Sequence, residues 1–534
     1  MKKSTLKKIL GEIPFTAEAY WYLHQAGNGR VRGFSLPSLE KMLPEWSATL
    51  TQYQSNARPG KQVMVFGVLR YWISHTTLLS MVLAGLGHRV TLVYLPYGKW
   101  YNPINRFDLR RHNLYARRVF EQITPFVKTV SLLDVKPLSQ DLPSTLEEQV
   151  REVALHDTQY TLQVEEVDLT SNLYRLRLER DRSAARAAMT WLQANRPEVI
   201  IIPNGMIQEF GALNKVARYL DIPVVTYEFG EQRQRLWLAQ NGEVMRQQTN
   251  PLWTARGGRG LSSAQWEKVR GLFSARQHGI SFENFTRRWQ GVASAGGEQA
   301  RNSLGLDSRP IVLLATNVVG DSLTLGRQVF SDSMTEWLKL TIQYFAGRPD
   351  VQLVIRIHPG ELNTKGPSVA DLVQRTLPVI PTNIFLVPAN SPVNTYDLVE
   401  IADLGLVYTT TVGMEMAMSG IPVIPVGQTH YRGKGFTLDP DTWEAFYGLL
   451  EQVLSKPEQF RLSKEQVELA WEYAYRFFFE FPHPYPWHIV RMWEDVNEWS
   501  LERVLSPEGQ ECFGKTFQYL VGEPVDWSIG AGKL

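Results

Sequence analysis

The stretch from Asp403 to Asp439, DLGLVYTTTVGMEMAMSGIPVIPVGQTHYRGKGFTLD, constrains this chain more than any other, because its apolar blocks and breakers alternate as strand, turn, helix, strand. Leu404 to Tyr408 is a short apolar run ending in Thr409, Thr410 and Thr411. Gly413 then opens a helical run that Gly420 and Pro422 close. Free amides at a helix start beside three hydroxyls suit a phosphate. Glu415 lies four residues after Thr411, on the same helix face and one turn deeper, where it fits a ribose diol behind that phosphate. Threonine caps and first-turn glutamates also serve helices that bind nothing, so the segment needs a second strand end beside it to acquire a function.

Val351 to Ile357 supplies one: a near-continuous apolar strand that runs into His358, Pro359, Gly360 and Glu361, with Lys365 shortly after. Open α/β sheets place ligand groups at the carboxyl ends of their strands. An imidazole there can hydrogen-bond a phosphate or a leaving-group oxygen, and Arg356 or Lys365 can add charge. From Pro310 another apolar strand, PIVLLATN, leads into a loop carrying Asn317, Asp321, Ser322 and Arg327.

The amino-terminal half begins in the same way. Lys61 to Val68 is a strand, Ser74, His75 and Thr76 precede the helical Leu78 to Leu86, and Val90 to Leu95 is a second strand. The first loop lacks the G-x-G-x-x-G pattern, which argues against a dinucleotide enzyme. Val199 to Pro203 opens into Asn204, Gly205 and Glu209. Pro223 to Tyr227 is followed by Glu228, Phe229 and Gly230, with Arg233 and Arg235 close behind.

These motifs carry a resemblance. RIHPGE (356 to 361), followed by VYTTTVGMEMAMSGIPVIPVG (407 to 427) and HYRGKGFT (430 to 437), resembles the capsular polysaccharide glycosyltransferases of the GT-B fold, the group containing bacterial β-Kdo transferases. The resemblance implies an α/β fold of two Rossmann-like domains facing across a cleft, with carboxyl-terminal helices crossing back. It implies that His358, Pro359 and the turn Thr409, Thr410, Thr411 and Gly413 hold the donor phosphate, with Tyr431 in the same donor site and Glu415 on the ribose; Lys365, by its place after the strand, is expected in that donor site too. It also implies an Asn-Gly turn, here at Asn204, and a strand ending in Glu-Asp-Gly. This chain has Phe229 where those enzymes commonly have aspartate. The acid or base is then expected at Glu228, with Glu209 and His75 as further catalytic candidates. Ser74, Asn204, Arg233, Asn317 and Asp321 are expected in the acceptor part of the cleft.

Length and composition fit two domains: 534 residues exceed what one core usually fills, and 44% are hydrophobic. The expected organisation is a helical extension over 1–60, an acceptor domain over 61–300, a donor domain over 301–450 and a helical segment over 451–534. Net charge +2 predicts no nucleic-acid partner. A lone cysteine, Cys512, excludes an intrachain disulfide framework and suits the cytoplasm. Asp439-Pro440-Asp441 has the spacing of a DxD metal site but contains proline and reads as a turn and helix start. No metal and no cofactor are expected, the nucleotide-sugar being a substrate. The expected partners are that donor and an oligosaccharide or lipid-linked glycan acceptor. Lys2, Lys3, Lys7 and Lys8 with Leu6, Ile9, Leu10 and Ile13 predict a basic amphipathic helix suited to peripheral contact with the inner membrane face.

The region from Thr254 to Ser308 reads as a polar, glycine-containing connection with helices at Ser263 to Phe273 and Phe282 to Trp289. The aromatic stretch from Trp443 to Phe479 is expected to pack against the domains rather than stack on sugar. The donor is expected to be a CMP-activated acidic sugar of the Kdo kind or a UDP or dTDP sugar. A CDP-glycerol-type polyol-phosphate transferase and a non-enzymatic GT-B assembly partner are the competing expectations.

Overall fold

Twelve short strands divide into two sheets in the structure, a computed structural model that describes residues 3–24, 33–54, 57–139, 141–285 and 291–529. The first sheet holds β1 (Gln62–Val68), β2 (Arg89–Leu95), β3 (Val127–Ser131), β4 (Val199–Pro203), β5 (Val224–Glu228), β6 (Arg235–Gln240) and, from far along the chain, β12 (His483–Pro484). The second holds β7 (Ile311–Ala315), β8 (Gln352–Arg356), β9 (Ile384–Val387), β10 (Leu404–Val407) and β11 (Val423–Pro425). In the first, β3-β2-β1-β4-β5 are parallel, and β6 and then β12 add antiparallel strands at the β5 edge. In the second, β9-β8-β7-β10-β11 are all parallel. Both therefore follow the doubly wound order 3-2-1-4-5, which reverses direction beside the first strand of each half and opens a crevice there at the carboxyl ends.

The parallel strands read as continuous apolar runs because helices cover both faces. Every residue of β4, β7 and β8 is buried. The helix Arg70–Gly85 is buried almost all round: a Cβ on Gly85 would press into Leu50 on one side and Leu505 on the other. Leu505 belongs to the last part of the chain, where Trp499, Phe513, Phe517 and Leu520 join the core of the first sheet. Residues nearer the crossing, Tyr473, Phe477 and Phe481, lie in the core of the second sheet. The chain passes from one to the other through β12, so the proline-rich FPHPYPWH run is the point of return. This is the GT-B arrangement, two Rossmann-like domains with carboxyl-terminal helices crossing back.

The segment expected to connect the domains has a definite place. Leu252, Val269, Leu272, Phe273 and Ala300 share the core of the second sheet with β7 and β10. Helix Ser263–Gln277 starts with a capping box at Ser262 and Gln265. Of the helix expected over Phe282 to Trp289, residues 286–290 lie outside the described ones, and Phe282 to Phe285 form a turn. Asp439 accepts hydrogen bonds from the Gly433 amide and the Thr437 hydroxyl, as a turn residue does.

Several groups of contacts hold the halves together. Met206 and Ile207, just after β4, cluster with Val244, Met245 and Leu325. Arg246 donates to the Gly326 carbonyl, and Arg327 donates to that of Met245. Glu165 caps the helix Met334–Ala346 by accepting from the amides of Met334 at 2.9 Å and Thr335 at 2.7 Å.

Candidate functional site

At the reversal point of the second sheet, β7 and β10 lie side by side and end in polar residues. Thr316, directly after β7, accepts the His358 amide at 3.1 Å. Its neighbour Asn317 accepts the Thr409 amide at 3.1 Å through Oδ1. The expected histidine and threonine turn are thus tied to one edge by two residues of the β7 loop. His358 Nδ1 accepts the Gly360 amide at 2.9 Å, so in the neutral ring the proton sits on Nε2 and makes that nitrogen a donor. Thr409 Oγ1 is buried and has no hydrogen-bond partner among the described residues. A buried hydroxyl left unpaired is costly unless something else comes to it.

The rest of the donor-side residues divide by access. Pro359 and Thr411 are half-buried, and the Lys365 side chain is exposed while its amide donates to Gln163 across the domain junction. Tyr431 has no exposed surface. Its hydroxyl donates to the Thr410 carbonyl at 2.7 Å, bracing the turn from behind rather than reaching a ligand. Gly413 is a glycine for the same reason, since a Cβ there would overlap that hydroxyl. Glu415 is buried against Arg276 Nη1 at 2.6 Å and the Tyr396 hydroxyl at 2.5 Å, one on each oxygen. Burial raises its pKa, with Arg276 pulling the other way.

The reversal point of the first sheet lies between β1 and β4. Asn204 follows β4 with a φ of +57°, a left-handed conformation that asparagine tolerates better than most residues. Its Oδ1 accepts the amides of Met206 and Ile207, and its Nδ2 donates to Glu228 Oε2 at 3.0 Å. Glu228 Oε1 accepts the Phe229 amide at 3.0 Å. This carboxyl is therefore fixed at the end of β5, and burial raises its pKa. Burial also lifts the phenol of Tyr71 to about 12, with Tyr160 and Glu228 contributing. Tyr160 is raised by burial, then by Asp321 of the second domain and by Glu228. Tyr160 thus feels carboxylates from both halves.

Phe229, where the resemblance would have aspartate, belongs to an aromatic nest. It stacks on Trp72 with centroids 6.1 Å apart and meets His75, Tyr485 and His488 at 5.1, 5.9 and 5.0 Å. A charge at this position would be half-buried among rings.

Two expected catalytic residues have no access to a substrate. His75 is fully buried in that nest, its Nδ1 3.0 Å from the Tyr227 hydroxyl, and burial lowers its pKa to about 3. Glu209 is buried 3.3 Å from Arg177. Arg177 also pairs with Asp157 and Asp181, and it donates to the Trp100 carbonyl at 3.0 Å. Of the expected acceptor residues, Ser74 is buried and donates to the Arg70 carbonyl. Arg233 is exposed, with its backbone tied to Asn284. Asp321 Oδ1 accepts from the Leu323 amide and the Ser322 hydroxyl.

Sequence reasoning missed Tyr71, Tyr160, Thr316, Arg276 and Tyr396. Thr316 follows β7 directly, a signal that was readable, whereas Tyr71 lies in the first turn of the helix after β1. The others are brought in by tertiary packing.

No protein-family model and no curated protein matches the chain. Among solved structures it is similar to the β-Kdo 2,4 transferase KpsC of Thermosulfurimonas dismutans, at 16% identity over 61% of this chain and 87% of that one, TM-score 0.33. It is also similar to the UDP-GlcNAc 2-epimerase of Neisseria meningitidis bound to UDP-GlcNAc, at 12% identity over 78% and 99%, TM-score 0.26. A third is Arabidopsis thaliana UGT89C1 complexed with UDP, at 12% identity over 83% and 100%, TM-score 0.23. The fold assignment rests on the two 3-2-1-4-5 sheets and the returning helices, not on these scores.

Proposed function

We propose that the protein is a glycosyltransferase that moves a sugar from a nucleotide-activated donor to a glycan acceptor. The observation that carries the reading is the pairing of two reversal points: a fixed carboxyl, Glu228, on one sheet, and a ring N–H donor with a partnerless buried hydroxyl, His358 and Thr409, on the other. In this reading the second domain holds the nucleotide. His358 Nε2–H and the Thr409 hydroxyl donate to the donor phosphate, and the Lys365 ammonium adds positive charge. Glu415, oriented by Arg276 and Tyr396, offers its remaining lone pairs to the ribose. Glu228 takes the proton of an acceptor hydroxyl as that oxygen bonds to the anomeric carbon. The bond from that carbon to the phosphate breaks, and the nucleotide leaves with the electron pair. A carboxyl raised by burial is a better match to such a proton than an ordinary surface glutamate. Tyr71 and Tyr160, both exposed and both under the influence of that carboxyl, offer faces and hydroxyls to the acceptor.

The donor belongs to the CMP, UDP or dTDP sugars, and the acceptor is a surface or capsular polysaccharide. The test is a thermal-shift panel with CMP, CDP, UDP, dTDP and GDP on wild type and His358→Ala, followed by transfer from the matching donor. A rise with one nucleotide that the variant loses supports the site and names the donor class. Release of CMP from CDP-glycerol with transfer of glycerol phosphate would replace sugar transfer by polyol-phosphate transfer. No rise with any nucleotide would favour a non-enzymatic role.

A further inference from the structure

The amino-terminal helices Lys3–Glu12 and Thr16–His24 form a hairpin laid on helix Arg106–Phe120. Two small contacts and one large one fasten it. Gly11 abuts the backbone of Phe107, Ala17 is fully buried, and Trp21 packs edge-on to Tyr115. The opposite side is apolar and uncovered. Leu6, Ile9 and Ile13, spaced three and four residues apart, point away from the supporting helix and are all exposed. The hairpin turn is more prominent still. Phe15 has a φ of +63° and is 77% exposed, while Tyr22 and Leu23 of the second helix are 66% and 80% exposed. Isolated exposed leucines are ordinary, but six large apolar side chains within eighteen residues, on one small projection, are not.

The charge around this patch identifies its occupant. Across the three helices eight lysines and arginines stand against three acids, Glu12, Glu18 and Asp108, whereas the whole chain has 56 cations against 54 acids. The acids are all taken up internally: Asp108 pairs with Lys7 and Arg111, Glu12 with Arg106 and Glu18 with Arg110. The surplus is positive and outward, at Lys8 and Arg118, both exposed. Exposed apolar side chains on a hairpin whose remaining charge, with Lys8 and Arg118 in no ion pair among the described residues, is positive match a bilayer whose headgroups are anionic. We infer that this hairpin is a membrane-docking element: Phe15, Tyr22 and Leu23 enter the interface of an anionic lipid bilayer, while Lys8 and Arg118 engage its headgroups. The basic first helix marked in the sequence is one part of it. The structure moves the insertion point to the turn and the second helix, and it takes Lys7 out of the headgroup contact.

The experiment is co-sedimentation of the full chain with vesicles of phosphatidylcholine alone or with about a third phosphatidylglycerol. It involves no nucleotide, so its outcome is independent of the proposed chemistry. Phe15→Asn with Leu23→Gln removes the apolar tip. Asparagine keeps the left-handed turn, and both sites are exposed, so the variant folds. Circular dichroism checks that it does. Wild type is expected to bind the anionic vesicles at least tenfold more tightly than the neutral ones. The double variant is expected to lose at least tenfold of that affinity, and Lys8→Glu with Arg118→Glu should remove most of the preference for anionic lipid. The inference is overturned if wild type stays in the supernatant with anionic vesicles, or if the apolar-tip variant binds as wild type does. It is equally overturned if wild type binds no vesicle and is a dimer that this variant converts to monomer, since the occupant is then a second copy of the chain.

Discussion

Thr409 stands just past the carboxyl end of β10, and its hydroxyl carries a prediction of its own. That hydroxyl is buried and unpaired among the described residues, so Thr409→Val should leave the ligand-free protein as stable or raise its stability by about 1 kcal/mol. The same change should abolish stabilisation by nucleotide. Urea unfolding with and without nucleotide separates the two effects, and a loss of stability without nucleotide would show that the hydroxyl is already satisfied. Glu228 makes a different prediction. As a base it must be ionised, and burial raises its pKa, so the transfer rate should climb with pH through a carboxyl pKa above the ordinary value. Glu228→Gln should cost roughly 10² to 10⁴ in turnover and keep nucleotide binding. A flat pH profile in wild type would count against it. Asp181 illustrates a group that acts on stability alone. Burial raises its pKa well above normal despite Arg177, and Asp157 beside it is raised as well. The folded state thus holds a proton that the unfolded chain has released, and stability falls as pH rises from the ordinary aspartate range toward the elevated value. Asp181→Asn cannot ionise, so it should flatten that decline and gain stability at neutral and alkaline pH, measured by denaturant titration across pH.

Among the elements, the turn after β10 shows how a sequence pattern can be right about place and silent about cause. Thr409 to Glu415 does join a strand to a helix, Val412–Met418, but Gly413 makes room for Tyr431 and not for a ligand. Gly413→Ala should destabilise by about 1–3 kcal/mol through overpacking. In the double variant with Tyr431→Phe the cost should be less than the sum of the two single changes, as a double-mutant cycle would read. Strands were legible wherever apolar residues ran without interruption: Val199 to Pro203 is β4 as expected, and Val351 to Ile357 contains β8. The reversal points were not legible, because they depend on β4 and β10 pairing with strands laid down more than ninety residues earlier. Arg276 and Tyr396 were hidden for a related reason. They come from helices on either side of the second sheet's first strands, and only tertiary packing brings them to the two oxygens of Glu415. Burial also overrode local chemistry at His75 and Glu209, polar residues in motif-like positions whose surroundings close over them.

For the whole molecule, Gly320 is one point where the two domains approach closely. Its φ is +70°, and a Cβ there would meet the backbone of Gln159 and Val164 in the opposite domain. Gly320→Val should therefore wedge the halves apart. The radius of gyration from solution scattering should rise and transfer should drop, while nucleotide binding persists, because the threonine turn and His358 lie wholly in the second domain. An unchanged radius would mean that the junction yields locally instead. The return of the last helices to the first sheet has a consequence for how the protein comes into being. Trp499, Phe513, Phe517 and Leu520 complete a core whose strands β1 to β6 have all been made by residue 240. At roughly 5–20 residues per second, a ribosome needs about a quarter of a minute to a full minute to deliver them. During that interval the earlier half is exposed with its apolar flank uncovered, so a nascent chain stalled near residue 480 should be a chaperone client although its second domain is all but finished.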